Sequence, residues 1–548
     1  MCLYSAAGAQ QSASPASERG GRDAGIDRAR SAWHVPDPEL ARARVVRSLE
    51  EAKTAGDRGA IAHHERVIDL IDSIRRPDQI ELTLEDALHR TLENSYTIEI
   101  DRFNPAVETT RIVEAESAFD ALFFTNITKN KVDRPTGSQL VSGDLDSFTS
   151  SYGIRKLMAT GAQISGSYNL SRTKTSLSFQ QLNPEYFSQF IFEVRQPFLR
   201  GLGIDTNLSG IRVAKNNRRI SDLAFRQQIR DVLRQVEEAY WRLVEARRNV
   251  VITARLLADF EKIFQELYAR RDFDITPVQL NATTARLERS KADFVRVRAA
   301  LRNAEDRLIA LMNTPDVNLT DAIEIIPTDL PDLSSVKVDR IAEVQSALEH
   351  RPELQELKLR IENSRINVNV SKNAELPRLD VSFRTSVDGL AGTADRSFDE
   401  VSRRRYIEYF VGIEFEMPIG NRGPRAVATR AMLQHRQAEA ALKARFEEVI
   451  LDVNTSVRAV ESAHDQLAPR FASVEARGQE VDSIVARAER KDINTLNSEL
   501  AAREGLAADR RTMLNAMVEY NIAIIDLERA KGTLLQYYNV HISDEFEE

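Results

Sequence analysis

The chain has 548 residues, of which 22 are glycine and 17 are proline, so these two helix-breaking residues make up about 7% of it. An average protein carries about 12%. The net charge of −8 is mild for this length and gives no reason to expect nucleic acid as a partner. The single cysteine excludes a disulfide within the chain and a Cys-rich metal site. We therefore expect long helices rather than many short strands.

The N-terminus reads MCLYSAAGA and ends in Ala7-Gly8-Ala9, the A-x-A pattern that signal peptidase cleaves. The basic and apolar regions of a signal peptide do not stand before this pattern, so two interpretations remain open: the remnant of a signal peptide, or a tail of small residues. We assign residues 1–38 to such a remnant and a disordered segment, because they are rich in Ser, Gly and Ala. The charged pattern at 39–81 predicts a helical extension.

A seven-residue apolar repeat predicts long helices that pack side by side. Counted in sevens from Ile229 and from Val232, eleven of twelve positions up to Leu267 are apolar. The repeat resumes after Pro277. Such a stripe is typical of coiled coils, so we predict an antiparallel helical hairpin that turns at 271–277.

The chain also contains an internal twofold repeat. The segment from Ile229 (IRDVLRQVEEAYWRLVEA) matches the segment from Phe446 (FEEVILDVNTSVRAVESA). We therefore expect a second hairpin, which begins near Arg425 and turns at 490–495. The predicted domains are a first repeat at 82–315, a linker at 316–339, a second repeat at 340–540 and a C-terminal tail at 541–548.

Between the helices of each repeat, apolar and polar residues alternate with the period of a β-strand. Charged residues such as Glu193, Arg384 and Glu414 form one predicted face. The other face is apolar, and four such strands of bilayer-spanning length favour a membrane barrel with a polar lumen. The residues predicted to face lipid are Phe190, Phe192, Val194, Leu379, Val381, Phe383, Tyr409, Val411, Ile413 and Phe415.

Four further stretches complete this part of the prediction. A weaker strand pattern covers 121–128, and an additional one at 147–171 is interpreted as a hairpin at the outer rim of the barrel. Polar stretches at 133–147 and 389–405 are predicted to be surface loops.

Neither enzyme motifs nor membrane-spanning helices are found in the sequence. No stretch approaches about 18 consecutive apolar residues, so a membrane role would rest on the strands. His63-His64-Glu65 lacks the second histidine of H-E-x-x-H, and Gly201-x-Gly203 lacks the third glycine of a dinucleotide loop. We predict no catalytic residue, cofactor or metal site. The alternative to a membrane barrel is a soluble coiled-coil scaffold with a small β-sheet, but a scaffold has no need of four long amphipathic strands.

The order and spacing of several motifs resemble the TolC family of bacterial outer-membrane efflux channels. The resemblance covers about 82–540, and it is carried by QPFLRGLG at 196–203, ALEHRPELQ at 347–355, AELPRLDVSF at 374–383, MPIGNRGPRA at 417–426 and YNIAIIDLERAKGTLL at 520–535. It implies a mainly α protein with a β-barrel part. In a homotrimer, four strands from each subunit would form one transmembrane β-barrel, and long coiled-coil hairpins would form a hollow helical tunnel.

The resemblance also implies a location and partners. The protein would lie in the bacterial outer membrane, contact its lipid and extend into the periplasm. A periplasmic adaptor (membrane fusion) protein would join it to an inner-membrane pump, in an efflux or type I secretion system. Substrates would pass through it passively, and movement of the hairpin tips would gate the tunnel.

The hairpin tips hold the candidate gate residues. In the family, acidic residues near the tips surround the closed entrance, and charged contacts hold it shut. By position, Asp272, Asp274 and Asp492 are candidates for the constriction, and Arg271 and Lys491 are candidate tethers. The alternative is that all five are ordinary solvated turn residues.

Overall fold

The structure is a computed structural model that describes residues 37–542 except 138–140, 178, 274, 322 and 488–492. The helices are α1 (Pro38–Ala55), α2 (Arg58–Asp72), α3 (Leu84–Asn94), α4 (Tyr96–Ser117), α5 (Ile204–Asn207), α6 (Ser209–Ala269), α7 (Pro277–Met312), α8 (Arg340–His350), α9 (Pro352–Ala374), α10 (Ala394–Ser402), α11 (Arg422–Arg487), α12 (Ile493–Lys531) and α13 (Leu534–Tyr537). The strands are β1 (Asp78–Leu82), β2 (Leu122–Asp133), β3 (Asp144–Leu157), β4 (Gln163–Thr175), β5 (Glu185–Pro197), β6 (Ile323–Pro327), β7 (Arg378–Ala391) and β8 (Tyr406–Glu416).

The two helices of the first predicted hairpin are confirmed. Helix α6 ends at Ala269 and α7 begins at Pro277. A capping box starts α7: the Thr276 hydroxyl accepts from the backbone N–H of Gln279, and the Gln279 side chain accepts from the backbone N–H of Thr276 at 3.0 Å. Proline suits the first helical position because that position has no partner for an N–H.

The second predicted hairpin is confirmed in its two helices. Helix α11 begins at Arg422 and ends at Arg487, and α12 begins at Ile493. The turn between them, at 488–492, lies outside the described residues. None of the helices in the described part of the chain combines the length and the apolarity needed to cross a membrane.

The chain forms two compact units, and the described residues of the first lie within 37–99, Gln228–His350 and Val449–Ile542. The predicted heptad stripe lies in its core: of the twelve positions, all except Ala246 and Phe264 are buried. The polar member, Thr253, donates its hydroxyl to the backbone carbonyl of Asn249 at 2.8 Å, which satisfies it inside the core. Burial of each large aliphatic side chain contributes about 1.5–3 kcal/mol, so the stripe is a main source of stability here.

A small parallel sheet in this unit was not predicted. Strand β6 lies inside the predicted linker and pairs with β1, in register from Asp78↔Ile323 to Leu82↔Pro327. The segment 39–81 is helical through α1 and α2, as expected, but it ends in β1. Strands of five residues are too short to produce a clear alternation, and β1 and β6 stabilise each other only through pairing that the sequence does not reveal.

A buried ionic cluster connects the start of α1 to this sheet. Arg247 is fully buried and donates to Asp37 at 3.0 Å and to Glu324 at 2.8 Å. The backbone N–H of Arg76 donates to the other oxygen of Glu324 at 3.0 Å. Burial alone would raise the pKa of Glu324, but the Arg247 guanidinium and the Arg76 N–H hold the pKa below its usual value. Each charge in the cluster therefore has a partner, as a buried charge requires.

Arg247→Met should strongly destabilise the first compact unit, which is mainly helical and is called the helical unit below. The substitution leaves Asp37 and Glu324 without their guanidinium, and removing one partner of a buried pair costs about 3–5 kcal/mol. Thermal or denaturant unfolding in detergent measures the change. Arg296→Met is the control, because Arg296 is 75% exposed and pairs with Asp293 on the surface. Its effect should stay below about 1 kcal/mol, and equal effects of the two substitutions would contradict the prediction.

A second buried acid contacts the C-terminal segment. Glu237 is 5% exposed and accepts hydrogen bonds from the Tyr538 hydroxyl and, at 3.4 Å, from the Trp241 indole N–H. Burial raises the pKa of Glu237 to about 7, although the two hydrogen bonds counteract part of the rise. The carboxyl group is therefore neutral in the folded protein at pH values where it is ionised in the unfolded chain.

This shift predicts that stability falls as the pH rises. The pKa of this carboxyl group is higher in the folded protein, at about 7, than its unfolded value of 4.5. Such a group stabilises the folded state fully below pH 4.5, and this contribution is lost as the pH rises past 7. The loss should reach about 3 kcal/mol between pH 4.5 and 8. Unfolding measured at pH 5 and pH 8 should show a smaller pH dependence for Glu237→Gln than for the unaltered chain. Glu238→Gln, next to it but 36% exposed, should leave the dependence unchanged.

The second unit, Ile100–Gln227 with Arg351–Glu448, contains a six-stranded antiparallel sheet. The strand order is β2-β3-β4-β5-β7-β8, so β2 and β8 are its edges and the sheet of a single chain is open. The prediction of four strands per subunit is wrong in number. The extra pair is β3 and β4, which pair in continuous register with each other and with both flanking strands.

The hairpin of β3 and β4 is therefore part of the sheet, and its predicted place at the outer rim of the barrel is wrong. Its turn at 158–162 packs against the segment that leads from β5 to α6. The backbone N–H of Gly203 donates to the Thr160 carbonyl at 3.4 Å, and Gly161, at a φ of +92°, leaves its Cβ position only 2.3 Å from the Gly201 carbonyl oxygen. Only glycine fits such a close approach, so the turn is built into this junction.

The two predicted surface loops are shorter than expected. Strand β3 begins at Asp144, inside the predicted loop 133–147. The segment 389–405 holds the end of β7 and all of α10. In both cases polar residues that indicated a loop instead lie on hydrogen-bonded strands or on a short helix.

Candidate functional site

The register of the sheet decides which side chains share a face. Residues directly opposite each other in an antiparallel pair point to the same side. Phe192 lies opposite Thr385, which lies opposite Tyr409, and Val194 lies opposite Phe383, which lies opposite Val411. Continued along the strands, the register places all ten residues that were predicted to face lipid on one side of the sheet.

This apolar face is largely exposed in the single chain. The exposed fraction is 68% for Tyr409 and Val411, 73% for Ile413 and 61% for Phe415. Phe123 on β2, at 69%, belongs to the same side because Phe123, Ile154, Gly166 and Phe192 follow one another across the sheet. An apolar surface of this extent is typical of a site that contacts a membrane or another protein.

A short helix covers one end of the apolar face. In α10, the Ser397 hydroxyl lies 2.7 Å from that of Ser188, and the Phe398 ring meets the Tyr168 ring edge-on at 5.7 Å. At Gly389 a Cβ would lie 2.1 Å from the Ser397 carbonyl oxygen, so the helix approaches the strand as closely as glycine allows. The rest of the face carries no such cover in the described part of this unit.

The opposite face of the sheet carries an ionic network. Asp380 lies directly opposite Glu414, an arrangement of like charges that alone would be unfavourable. Arg195 bridges the two, at 2.8 Å from Asp380 and 2.7 Å from Glu414. Arg378 contacts Asp380 at 2.8 Å and Glu414 at 3.4 Å. The network makes this side of the sheet suited to water and ions.

Further along the same face the polar pattern continues. Arg384 contacts Glu193 at 3.1 Å, and the Gln189 amide donates to Asp388 at 3.0 Å. The alternation in sequence identified these residues as a polar face but did not identify the pairs. The pairs depend on which strands are neighbours, which the register of β5, β7 and β8 determines.

At the first hairpin tip, the structure describes two of the five candidate gate residues. Asp272 has a side chain that is 74% exposed, and its carboxylate lies 3.7 Å from the Arg271 guanidinium. Arg271 also stacks on the Tyr268 ring, 4.2 Å from its centroid. Within one chain these are surface contacts, and what they do in an assembly remains a prediction. Asp274, Lys491 and Asp492 lie outside the described residues.

The tip also carries apolar side chains that the sequence analysis did not single out. Phe273 is 88% exposed and Val278 is 78% exposed, while Ile275 between them is nearly buried at 9%. Two large apolar groups this exposed at a turn favour contact with another protein surface. A search for charged residues overlooks them, because their exposure only becomes evident in the folded hairpin.

Two half-buried arginines, Arg255 and Arg510, add positive charge to the helical unit. Burial lowers the pKa of Arg255, and the neighbouring Arg510 lowers it further, against the opposing effect of Asp259. Burial also lowers the pKa of Arg510. Charged residues make up 29% of the chain, so the sequence by itself gave no indication that these two arginines would be half-buried near each other.

Comparison with known proteins agrees with this architecture. Residues 344–533 match the family model described as outer membrane efflux protein. This match supports the predicted resemblance to the TolC family, which is thereby confirmed. The family is one of outer membrane channels, which are not enzymes. No curated protein matches the sequence.

Solved structures extend the likeness to most of the chain. A membrane protein from Pseudomonas aeruginosa has a TM-score of 0.62 at 17% identity, over 82% of this chain and 93% of that one. The Campylobacter jejuni CmeC outer membrane channel has a TM-score of 0.62 at 13% identity, over 82% and 86%. The open Neisseria gonorrhoeae MtrE outer membrane channel has a TM-score of 0.57 at 15% identity, over 82% and 89%. At these identities the likeness establishes the fold.

Proposed function

We propose that this protein is the outer-membrane channel of a bacterial efflux or type I secretion system. Three copies would close their sheets into one transmembrane barrel, and their helical hairpins would form a tunnel in the periplasm. Exported molecules would pass through it passively. The matched efflux domain at 344–533 and the fold shared with outer membrane channels support this proposal.

The two-faced sheet is the observation that carries the proposal. Its apolar side exposes Val411 and Ile413 at about 70%, and its other side carries the Arg195–Asp380–Glu414 network. In water the apolar side would cost free energy at about 25 cal/mol for each Å² exposed. Against lipid that cost disappears, and the ionic side then lines a water-filled lumen, as in membrane barrels.

The hairpin tips are the proposed meeting point with the periplasmic adaptor protein, which in turn would reach the inner-membrane pump. The exposed Phe273 and Val278 would contribute apolar contact area, and Arg271 and Asp272 would contribute charge. Residues of this kind dominate many protein interfaces, because a buried aromatic anchor is combined with a polar rim. Asp274, Asp492 and Lys491 remain candidates for the same region by their position in the sequence.

The protein produced in a Gram-negative bacterium should fractionate with the outer membrane. Extracted in detergent, it should migrate as a trimer and conduct ions in a planar bilayer. A monomer that stays in solution without detergent would contradict the proposal and favour a soluble coiled-coil scaffold.

Two adjacent substitutions sharpen this test, because they point to opposite faces of β5. Phe192→Lys places a charge on the proposed lipid side and should cost about 2–4 kcal/mol near the bilayer centre, so the yield of membrane-embedded trimer should fall. Ile191→Lys places the same charge on the polar side, between Ser167 and Ser386, and should be tolerated. If the sheet were soluble, Phe192→Lys should not lower the yield more than Ile191→Lys does, because water accepts an exposed lysine at position 192.

The gate assignment makes a separate prediction. If Asp272 from three copies lines the entrance, Asp272→Asn should reduce cation selectivity, because a ring of carboxylates attracts cations. The reversal potential under a salt gradient in a planar bilayer measures the change. Stability should change by less than about 1 kcal/mol, since the contact with Arg271 is on the surface. Glu288→Gln, an exposed acid on α7, is the control, and an equal shift for both variants would remove Asp272 from the gate.

A further inference from the structure

The edges of the sheet need a partner if the sheet lies in a membrane. In the described part of the chain, β2 pairs only with β3, and β8 pairs only with β7. The outer side of each edge strand therefore presents a row of unpaired backbone N–H and C=O groups. In lipid each unpaired group costs several kcal/mol, so open edges do not persist there.

The two edges fit each other. Strand β2 has 12 residues and β8 has 11. In a six-stranded antiparallel sheet the first and last strands run in opposite directions, so β8 of one copy can pair antiparallel with β2 of the next. Such a contact joins two different surfaces, and repetition around an axis closes it into a ring.

The apolar face is continuous across this junction. On β2, Phe123 and Ile127 are 69% and 59% exposed, and on β8, Val411 and Ile413 are 68% and 73% exposed. All four lie on the same side of the sheet by register. A second copy of this chain therefore continues both the backbone hydrogen bonding and the apolar surface. A partner with a polar surface would interrupt the apolar surface.

The hairpin of β3 and β4 is part of the same sheet whose edge strands, β2 and β8, would close the barrel. On one face the Phe124 ring covers Gly153, where a Cβ would lie 2.6 Å from the ring. On the other face the Tyr168 hydroxyl lies 2.9 Å from that of Ser188 on β5. With the turn seated against Gly201, the hairpin is held at both faces and at its turn.

We infer that each copy supplies six strands to the shared barrel, so that three copies form a barrel of eighteen strands and not of twelve. This inference rests on the proposed function. Barrel diameter grows roughly in proportion to strand number, so the barrel would be about one and a half times as wide as one built from four strands per copy.

Electron cryomicroscopy of the detergent-extracted trimer tests the inference directly, because it counts strands. Eighteen strands are expected. A variant without residues 144–175 loses β3 and β4 but keeps β2 and β5 antiparallel, and its barrel should have twelve strands and about two thirds of the diameter. A trimer of the unaltered chain with twelve strands would overturn the inference and leave the proposed function standing. A protein that stays in water without detergent would overturn both.

Cysteine cross-linking keeps the test decisive if the shortened variant does not fold. With Cys2 replaced by Ser, Asn126→Cys on β2 is combined in turn with Glu408→Cys, Phe410→Cys or Glu414→Cys on β8. All four positions lie on the ionic face, and one combination should give covalent dimers and trimers on oxidation. Asn169→Cys on β4 replaces the β2 position as the control and should give none. Cross-links from Asn169→Cys in place of those from Asn126→Cys would show that β2 is not the edge, which overturns the inference.

Discussion

The pairing of backbone hydrogen bonds across one six-stranded sheet is the constraint on which the rest of this unit depends. Because side chains alternate between the faces of a strand, a single register separates apolar from charged residues over the whole sheet. A slip of one residue in β7 would bring Asp380 to the apolar side and Val381 to the ionic side. The Arg195–Asp380–Glu414 contacts and the exposed row at Val411 and Ile413 both follow from that register.

The helical unit follows a different physical rule. Its core is a heptad stripe of aliphatic residues, which specifies that helices pair but allows several partners. The buried cluster of Arg247, Asp37 and Glu324 adds specificity, because each charge is satisfied only when α1, α6 and the β1–β6 sheet meet at this point. Hydrophobic burial stabilises this unit, and the ionic cluster selects one arrangement of its parts.

The sequence revealed structural features where a local pattern was sufficient. The ten apolar strand residues share one face because period two is a property of the backbone. The long helices were found because the heptad stripe extends over many turns and because the internal repeat carries the same pattern into the second half of the chain. Strands β1 and β6 were missed because each is short and is stabilised by a partner about 245 residues away. The hairpin at 144–175 was noticed but placed at the rim, because an alternating pattern does not show which strands pair with each other.

The sequence alone determined the long helices, the apolar side of the strands that it revealed, and the resemblance to outer-membrane channels. These properties come from patterns that repeat locally: each helical turn of a heptad stripe and each pair of residues in a strand shows the same alternation of apolar and polar side chains. Only the tertiary structure decided that six strands form one sheet, that Arg247 meets Asp37 and Glu324, and that Phe273 stands exposed at the tip. Such features depend on contacts between residues far apart in the chain, where geometry and desolvation, and not local pattern, select the partner.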